Sequence, residues 1–547
     1  MSTREIRIST TYGHLAIKVW NEYGQKTPIL ALHGWMDNAG TWDNLCPLID
    51  NDYPIYALDF PGSGLSSHPP TDVGTYFTDL LVTVDKVINH FKWKKLILLG
   101  HSMGGATSLL YAGAFPDKIE KVISIDSFRP ITAEASEQCS VTARSLRELN
   151  KAAKKQVSQN PRYEYNEIVQ KLVESYGGDF NEDAAKTLLI RNSVRHEDGK
   201  FSFTYAPILK VPSTMILTFE HAFSFLSNIT SDFLRIKFLI KCLQEKLKLV
   251  HLMDTLLVWN EYGQKTPILA LHGWMDNAGT WDNLCPLIDN DYPIYALDFP
   301  GSGLSSHPST NLGHYFMDNL VTVHKVINHF NWKKLILLGH SMGGATSLLY
   351  AGAFPDKIEK VISIDARNLF TDDAKDQCVR TVTSLKELSK AAEKQVTQNP
   401  RYEYNEIVQK LVESYGGSLN EDAAKTLLIR NSVRHEDGKF SFTHSPVLKV
   451  NYTLTPSFEQ AFTFVSNITC DLLIIKATTT VLRGKRTNIK KVFNSFKKTS
   501  SNFVFEELEG RHHLHLITPH AVAEVINRFL YDHAQSKSSK EFLLSKL

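Results

Sequence analysis

Short apolar runs alternate with longer amphipathic stretches along most of this chain. The runs PILALHG, PIYALDF, KKLILLG and KVISID are apolar on both faces, which predicts buried parallel strands. Between them, stretches such as YFTDLLVTVDKVINHF place apolar residues three and four positions apart, which predicts helices. Alternating strands and helices predict an α/β fold with a mostly parallel, doubly wound sheet.

This pattern occurs twice with nearly the same letters. Residues 19–126 and 258–365 match closely, and the similarity continues to about Asp232 and Asp471. A repeat of this length indicates a duplicated domain rather than a solenoid, whose periods are much shorter. We therefore predict one unit over residues 1–257, a second over residues 258–535, and a flexible tail over residues 536–547.

Each copy carries a charged insertion after its last shared strand. In the first copy the stretches SLRELNKAAKKQVSQ, EYNEIVQKLVESYGG and EDAAKTLLIRN have helical patterns with no strand between them. We predict a helical cap over the carboxyl edge of each sheet, at about residues 127–210 and 366–449.

The two copies differ at their ends. The first begins with the hairpin-like REIRISTTYGHLAIKVW, most of which the second lacks. The second ends with DLLIIKATTT, NFVFEELEG and HAVAEVINRFL, which predict strand, strand and helix; the first has DFLRIKFLIKCLQEKLKLVHLMD instead. The first unit is therefore predicted to lack its C-terminal strands.

Composition and charge exclude several classes of protein. A hydrophobic content of 43% with 22% charged residues is typical of globular proteins, and a formal charge of +2 leaves no electrostatic footprint for nucleic acid. No apolar run is long enough for a membrane span, and the polar start MSTREIRIST predicts no secretory signal. We expect the sequons at Asn228, Asn451 and Asn467 to be unmodified. None of the cysteines has metal or CxxC spacing, which fits a reducing compartment. The chemistry predicted at the end of this section needs no metal and no organic cofactor.

The last three residues carry a possible address. Ser545, Lys546 and Leu547 form an S-K-L terminus behind a polar stretch, and a terminal S-K-L is read by the peroxisomal import receptor. We therefore expect that receptor as a partner and a peroxisomal location, with a cytoplasmic location otherwise.

The first chemical motif is a G-x-S-x-G turn between a strand and a helix. It reads GHSMG in both copies, at residues 100–104 and 339–343, so the candidate nucleophiles are Ser102 and Ser341. Such a nucleophile elbow is so tight that small residues must flank the serine, whose hydroxyl then projects above the sheet.

Acyl transfer also needs N–H donors for the developing oxyanion. One amide follows the serine, and we expect the other in the LHGW loop after an earlier strand. The predicted donors are the amides of Trp274 and Met342 in the second copy and of Trp35 and Met103 in the first. His33 and His272 in the same loops are expected to brace the backbone rather than to react.

The motifs together show a family resemblance. HGW-MDNAGTW, DFPGSG, GHSMGG and EGRHHLHLITPHAVAEVINRFL resemble the α/β-hydrolase superfamily, and their combination is most similar to the serine hydrolase-like (kraken-like) group. The resemblance covers almost all of both copies and implies the fold, a helical cap and a serine nucleophile. Haloalkane dehalogenases and epoxide hydrolases share the scaffold but place aspartate at the elbow, so the serine argues against both.

In this family the catalytic histidine follows the last strand and usually stands seven residues before the proline that opens the last helix. Counting back from Pro519 gives His512, with His513 as the main alternative. His515 holds the place of a frequent companion histidine and is expected to be structural.

The acid is harder to assign. Between Asp471 and Glu506, where many of these hydrolases carry it after the seventh strand, this chain has no carboxylate. Relatives also use the end of the sixth strand, where this chain has Asp365. An aspartate there could instead cap the first cap helix; we favour Asp365 as the acid that orients His512.

We therefore predict that the second unit hydrolyses a small-molecule carboxylic ester or thioester through Ser341, His512 and Asp365. The first copy has Ser102 and Asp126 but no strand-loop-histidine before the second copy begins, and its site is predicted to be vestigial. His251, in the join between the copies, is a poor substitute because no strand precedes it.

Two alternatives remain open. The chain could be a non-catalytic hydrolase-like protein that binds an apolar ligand or a partner through its cap, as the missing acid and the incomplete first copy would suggest. It could also be a sequence that joins two adjacent duplicated genes, since each copy lacks the end that the other has.

Overall fold

The computed structural model describes residues 3–69, 76–127, 132, 134–156, 161–176, 181–211, 213–236, 256–307, 315–366, 377–396, 400–450, 452–482 and 485–531. Its strands and helices form two similar units, which we call the first and second unit. The C-terminal tail, Asn451 and His251 lie outside the described residues, so the peroxisomal address stays a prediction.

The first unit is built around a seven-stranded sheet in the order β1-β2-β4-β3-β5-β6-β9. Its elements are β1 (Thr3–Thr10), β2 (Gly13–Trp20), β3 (Ile29–Leu32), β4 (Ile55–Leu58), α1 (Asp79–Phe91), β5 (Leu96–His101), α2 (Met103–Ala114), β6 (Ile119–Ile125), α3 (Gln138–Gln156), α4 (Tyr165–Ser175), α5 (Glu182–Asn192), β7 (Ser193–Arg195), β8 (Phe201–Phe203), α6 (Phe219–Leu226) and β9 (Asp232–Ile236).

The second unit repeats this plan in a seven-stranded sheet of order β10-β12-β11-β13-β14-β17-β18. Its elements are β10 (Leu257–Trp259), β11 (Ile268–Leu271), β12 (Ile294–Leu297), α7 (Asp318–His329), β13 (Leu335–His340), α8 (Met342–Ala353), β14 (Ile358–Ile364), α9 (Gln377–Val396), α10 (Tyr404–Ser414), α11 (Glu421–Asn431), β15 (Ser432–Arg434), β16 (Phe440–Phe442), α12 (Phe458–Val465), β17 (Asp471–Ala477), α13 (Arg486–Thr499), β18 (Phe503–Leu508), α14 (Leu514–Ile517) and α15 (Pro519–Tyr531).

The predicted α/β class is confirmed. The central strands of each sheet are parallel, and short runs such as ILAL in β3 and β11 are buried at every position, as strands covered on both faces require. Leu257 belongs to the second sheet, where it pairs with Ala296, although we had predicted it at the end of the first unit.

We had expected a purely helical cap, and this expectation is wrong. Each cap contains three helices, α3–α5 in the first unit and α9–α11 in the second. A small antiparallel hairpin follows the third helix of each cap, β7–β8 in the first unit and β15–β16 in the second. The segments SVR and FSF are only three residues long, too short for a strand pattern to be recognised in the sequence. A buried ion pair between Arg430 and Asp298, 2.6 Å apart, ties the second cap to its sheet.

The two sheets end differently. In the second unit β18 extends the sheet beyond β17 and α15 covers one face, so that the Lys360 side chain is 1% exposed under Phe529. In the first unit the described sheet ends at β9, and the equivalent Lys121 side chain is 49% exposed. The described helices include none long and apolar enough to cross a membrane.

Candidate active site

Ser341 sits on a strained turn between β13 and α8. Its φ is +50°, a left-handed conformation that non-glycine residues rarely adopt. A side chain on Gly343 would lie 2.0 Å from the Leu271 carbonyl oxygen, and one on Gly339 would lie 2.3 Å from the Gly343 carbonyl oxygen. Glycine is therefore required at both places, as the tight turn predicts.

The three predicted residues of the second unit form one continuous chain of hydrogen bonds. Ser341 Oγ lies 2.9 Å from His512 Nε2, and His512 Nδ1 lies 2.5 Å from Asp365 Oδ2. Because the carboxylate can only accept, Nδ1 carries the proton and Nε2 is left to accept from the serine hydroxyl. The structure thus brings together a hydroxyl, a base and an orienting carboxylate drawn from distant parts of the sequence.

Asp365 is held from three directions. Besides His512, its oxygens accept from the Ala477 amide at 2.8 Å and from the Thr480 hydroxyl at 2.6 Å. Burial pushes the pKa of Asp365 upward, but the hydrogen bonds from His512, Thr480 and Ala477 outweigh it and leave the pKa below its ordinary value. Among the described helices, the first after Asp365 is α9, which begins at Gln377.

The predicted oxyanion donors lie at the same edge of the sheet. Leu271 of β11 pairs with Gly339 of β13, which places the loop carrying Trp274 next to the elbow. Met342 opens α8, where the first N–H groups have no acceptor within the helix. The Trp274 indole donates to the Leu448 carbonyl of the cap at 2.7 Å, so its loop is fixed from above.

A second layer of polar residues supports the histidine loop, and the sequence analysis missed it. His340 Nε2 donates to the backbone carbonyl of His512 at 2.9 Å, while its Nδ1 lies 3.3 Å from Asp276 Oδ2. The other Asp276 oxygen faces His513 Nε2 at 3.3 Å and accepts from the Tyr415 hydroxyl at 2.9 Å. His513, the alternative base, is thus bonded to Asp276.

The three histidines that we expected to be structural have hydrogen-bond partners within the fold. His515 Nε2 lies 2.8 Å from Thr280 Oγ1, and burial lowers the pKa of His515 well below its ordinary value. His272 Nε2 accepts from the Phe299 amide at 3.0 Å, and its Nδ1 donates to the Gly273 carbonyl. His33 makes the same two bonds in the first unit, to Phe60 and Gly34.

Among the described residues, Asp276, His340 and His513 are the group whose donor atoms could hold a metal, since these atoms lie within 4.8 Å of one another. All three are buried. Their facing atoms already contact one another, Tyr415 and the His512 backbone. These hydrogen bonds explain why the three side chains lie close together.

The first unit repeats the elbow without the base. Ser102 has φ +48°, close to the value at Ser341, and Asp126 ends the equivalent strand with φ +53°. Across the described part of the chain, no histidine is hydrogen-bonded to Ser102. His101, the counterpart of His340, has a 34% exposed side chain where the side chain of His340 is 1% exposed. The predicted donors Trp35 and Met103 keep their places after β3 and at the start of α2.

Two signals in the sequence could have identified the missed residues. Asp276 lies in the HGWMDN stretch, from which the sequence analysis predicted only a backbone N–H donor for the oxyanion. Thr480 lies in the ATTT stretch, where we noted only the absence of a carboxylate. A hydroxyl at that place supports an acid that comes from the neighbouring strand.

Comparisons with known proteins agree with this architecture. A sequence model described as the alpha/beta hydrolase fold matches residues 27–238 and again residues 266–440. A probable serine hydrolase of Drosophila melanogaster is 32% identical over 275 residues, which cover 50% of this chain and 83% of that protein. A serine hydrolase-like protein of Danio rerio is 29% identical over 286 residues, covering 50% of this chain and 86% of that protein.

Among solved structures, a hypothetical protein of Pseudomonas aeruginosa is 28% identical and superposes with a TM-score of 0.43, over 49% of this chain and 92% of that one. One matched segment lies in each unit of the chain. The chain belongs to the α/β-hydrolase fold family. Within that family it is similar to the serine hydrolase-like proteins, as the sequence motifs had indicated.

Proposed function

We propose that the second unit is a serine hydrolase that cleaves a carboxylic ester or thioester through Ser341, His512 and Asp365. The observation that carries the proposal is the unbroken hydrogen-bond chain from the Ser341 hydroxyl through His512 to Asp365. The membership of a hydrolase family and the similarity to serine hydrolase-like proteins support it.

The proposed reaction begins with proton transfer. His512 Nε2 takes the Ser341 proton as Oγ attacks the acyl carbonyl, and Asp365 stabilises the imidazolium that forms. The Trp274 and Met342 amides hold the oxyanion. His512 then protonates the leaving alcohol or thiol, which leaves an acyl ester on Ser341, and a water activated by His512 releases the acid and restores the serine.

The low pKa of Asp365 matters in this scheme. The carboxylate must stay ionised while His512 gains a positive charge beside it, and its three hydrogen bonds hold it ionised at neutral pH. The first unit is proposed to be silent, because a serine without a base keeps only the rate that the oxyanion hole and substrate binding supply.

The test compares the two identical elbows. The full chain, Ser341→Ala and Ser102→Ala are incubated with a fluorophosphonate probe, and hydrolysis of p-nitrophenyl butyrate and of a short acyl thioester is followed in parallel. We expect Ser341→Ala to abolish labelling and hydrolysis, and Ser102→Ala to leave both within about twofold of the parent. Labelling that survives Ser341→Ala but disappears in Ser102→Ala would show that the base serves the first unit instead.

A further inference from the structure

The two units contact each other through surfaces in which equivalent residues meet. Tyr76 and Tyr315 occupy the same place in the two copies. Their rings stack with centroids 3.6 Å apart and planes inclined by 16°. A residue that meets its own equivalent lies on a two-fold axis, so the units are related by an approximate two-fold through this pair.

The polar contacts around the tyrosine pair are exchanged in both directions. The Tyr76 hydroxyl donates to Asp318 at 3.0 Å, and the Tyr315 hydroxyl donates to Asp79 at 2.9 Å. Asp79 and Asp318 are again equivalent positions. Burial, with the opposing carboxylates, raises the pKa of both tyrosines well above the ordinary value, so both remain donors at neutral pH.

A second group of contacts is also exchanged, at the cap helices. Cys139 Sγ donates to the Gly352 carbonyl at 3.2 Å, and Cys378 Sγ donates to the Gly113 carbonyl at 3.5 Å. The amides of the equivalent Asn467 and Asn228 reach these sulfurs, each at 3.4 Å. An interface that repeats its contacts in both directions is isologous, which is the arrangement of a two-fold homodimer.

This interface reaches the helix that carries the candidate nucleophile. Helix α8 begins directly after Ser341, and Gly352, which accepts from Cys139, lies near its other end. Just beyond α8, the Arg147 guanidinium of the first unit lies 5.1 Å from the centre of the Phe354 ring. Helix α3 of the first unit thus packs against the far end of α8.

We propose that the first unit is a permanent, non-hydrolytic subunit: it occupies the dimer surface of the second unit and holds α8 in place. In this arrangement both halves of a fused dimer keep the association surface, and the second half supplies the base of the proposed reaction. Because each surface is filled within the chain, the full chain is a monomer. The partner that this surface fits is a second copy of the same unit, here supplied by the chain itself.

The test separates the units without changing either of them. A protease recognition sequence is inserted between residues 241 and 252, in the join between β9 and β10. After cleavage at about 10 μM, size-exclusion chromatography with light scattering is expected to show the two fragments as one complex. This readout does not depend on hydrolysis, so it stands even if the proposed function fails.

A matched pair of variants tests the tyrosine contact. In the cleaved protein, Tyr76→Ala removes a buried stacking partner and its hydroxyl, and we expect at least 30-fold weaker association, as for a central interface tyrosine. Tyr23→Ala is the control, because that side chain is 85% exposed. Elution of the parent fragments as separate species, or equal weakening by both variants, would overturn the proposal.

The role in holding α8 has its own readout, which rests on the proposed function. When the cleaved Tyr76→Ala protein is diluted until its fragments separate, we expect fluorophosphonate labelling of Ser341 to slow at least tenfold. Labelling should recover when an excess of the parent first fragment is added. Undiminished labelling of the separated second fragment, or a loss that the added fragment does not reverse, would show that the first unit does not support α8.

Discussion

The Asp365→Asn substitution tests the candidate site most directly. It keeps the size of the side chain but replaces Asp365 Oδ2, which accepts from His512 Nδ1 and from Thr480, with a donor or with a neutral oxygen. The Ala477 amide donates to the other oxygen, so the carbonyl of the asparagine is expected to remain there. The asparagine NH2 group then faces His512 Nδ1.

That exchange inverts the tautomer of His512. With an N–H group opposite it, Nδ1 must accept, and the proton moves to Nε2, where it faces the Ser341 hydroxyl. The base can then no longer take the serine proton. The same change in the serine protease template lowers kcat by about 10⁴, which corresponds to about 5.4 kcal/mol of transition-state stabilisation. We expect a loss of similar size here.

The assay is hydrolysis of p-nitrophenyl butyrate by the full chain, with thermal unfolding to show that the fold is intact. Asp126→Asn is the matched control, because it makes the same change at the end of β6 in the first unit. It should leave hydrolysis within about twofold of the parent. If Asp365→Asn retained more than a tenth of the parental kcat, Asp365 would not be the acid that orients His512.

Two further predictions concern a hydrogen bond to Asp365 and the pH dependence of the stability of the second unit. Thr480→Val removes one donor to Asp365 while keeping the shape of the side chain. A hydrogen bond to a charged group is worth roughly 1.5 to 3 kcal/mol, so kcat should fall by about 10- to 100-fold; an unchanged kcat would contradict this. Burial lowers the pKa of His324 to about 3 from an ordinary value of 6.5. As the pH falls, the unfolded chain therefore binds a proton at this histidine before the folded chain does. The free energy of unfolding decreases below about pH 6.5 and is lower by about 2 kcal/mol at pH 5. Denaturant unfolding at pH 7.5 and pH 5 should show a smaller pH dependence for His324→Asn than for the parent; equal dependence would exclude this source.

The sequence predicted the parts of the fold that depend on local pattern. The buried strands around ILAL and LILLGH and the elbow between β13 and α8 follow from a few consecutive residues. The short hairpin β15–β16 was missed because three residues are too few to show a period of two.

The supporting residues of the site were harder to predict because their roles depend on contacts between distant segments. Asp276 lies 64 residues before His340 and 237 before His513, yet it faces both. Thr480 lies 115 residues after Asp365. The HGWMDN and ATTT stretches contain these two side chains, but neither stretch shows which distant segment its side chain contacts.

The two elbows show why the elbow motif alone does not assemble a candidate site. Ser102 and Ser341 share their flanking sequence and nearly the same backbone angle, because both depend on the glycines around the turn. What differs is remote: in the second unit a loop from the far C-terminal side brings His512 to the serine and covers His340. In the first unit the equivalent His101 is one-third exposed. Elbow geometry is therefore a local property that both copies share. The hydrogen bond between the serine and a histidine depends instead on the end of the sheet, which among the described residues only the second copy retains.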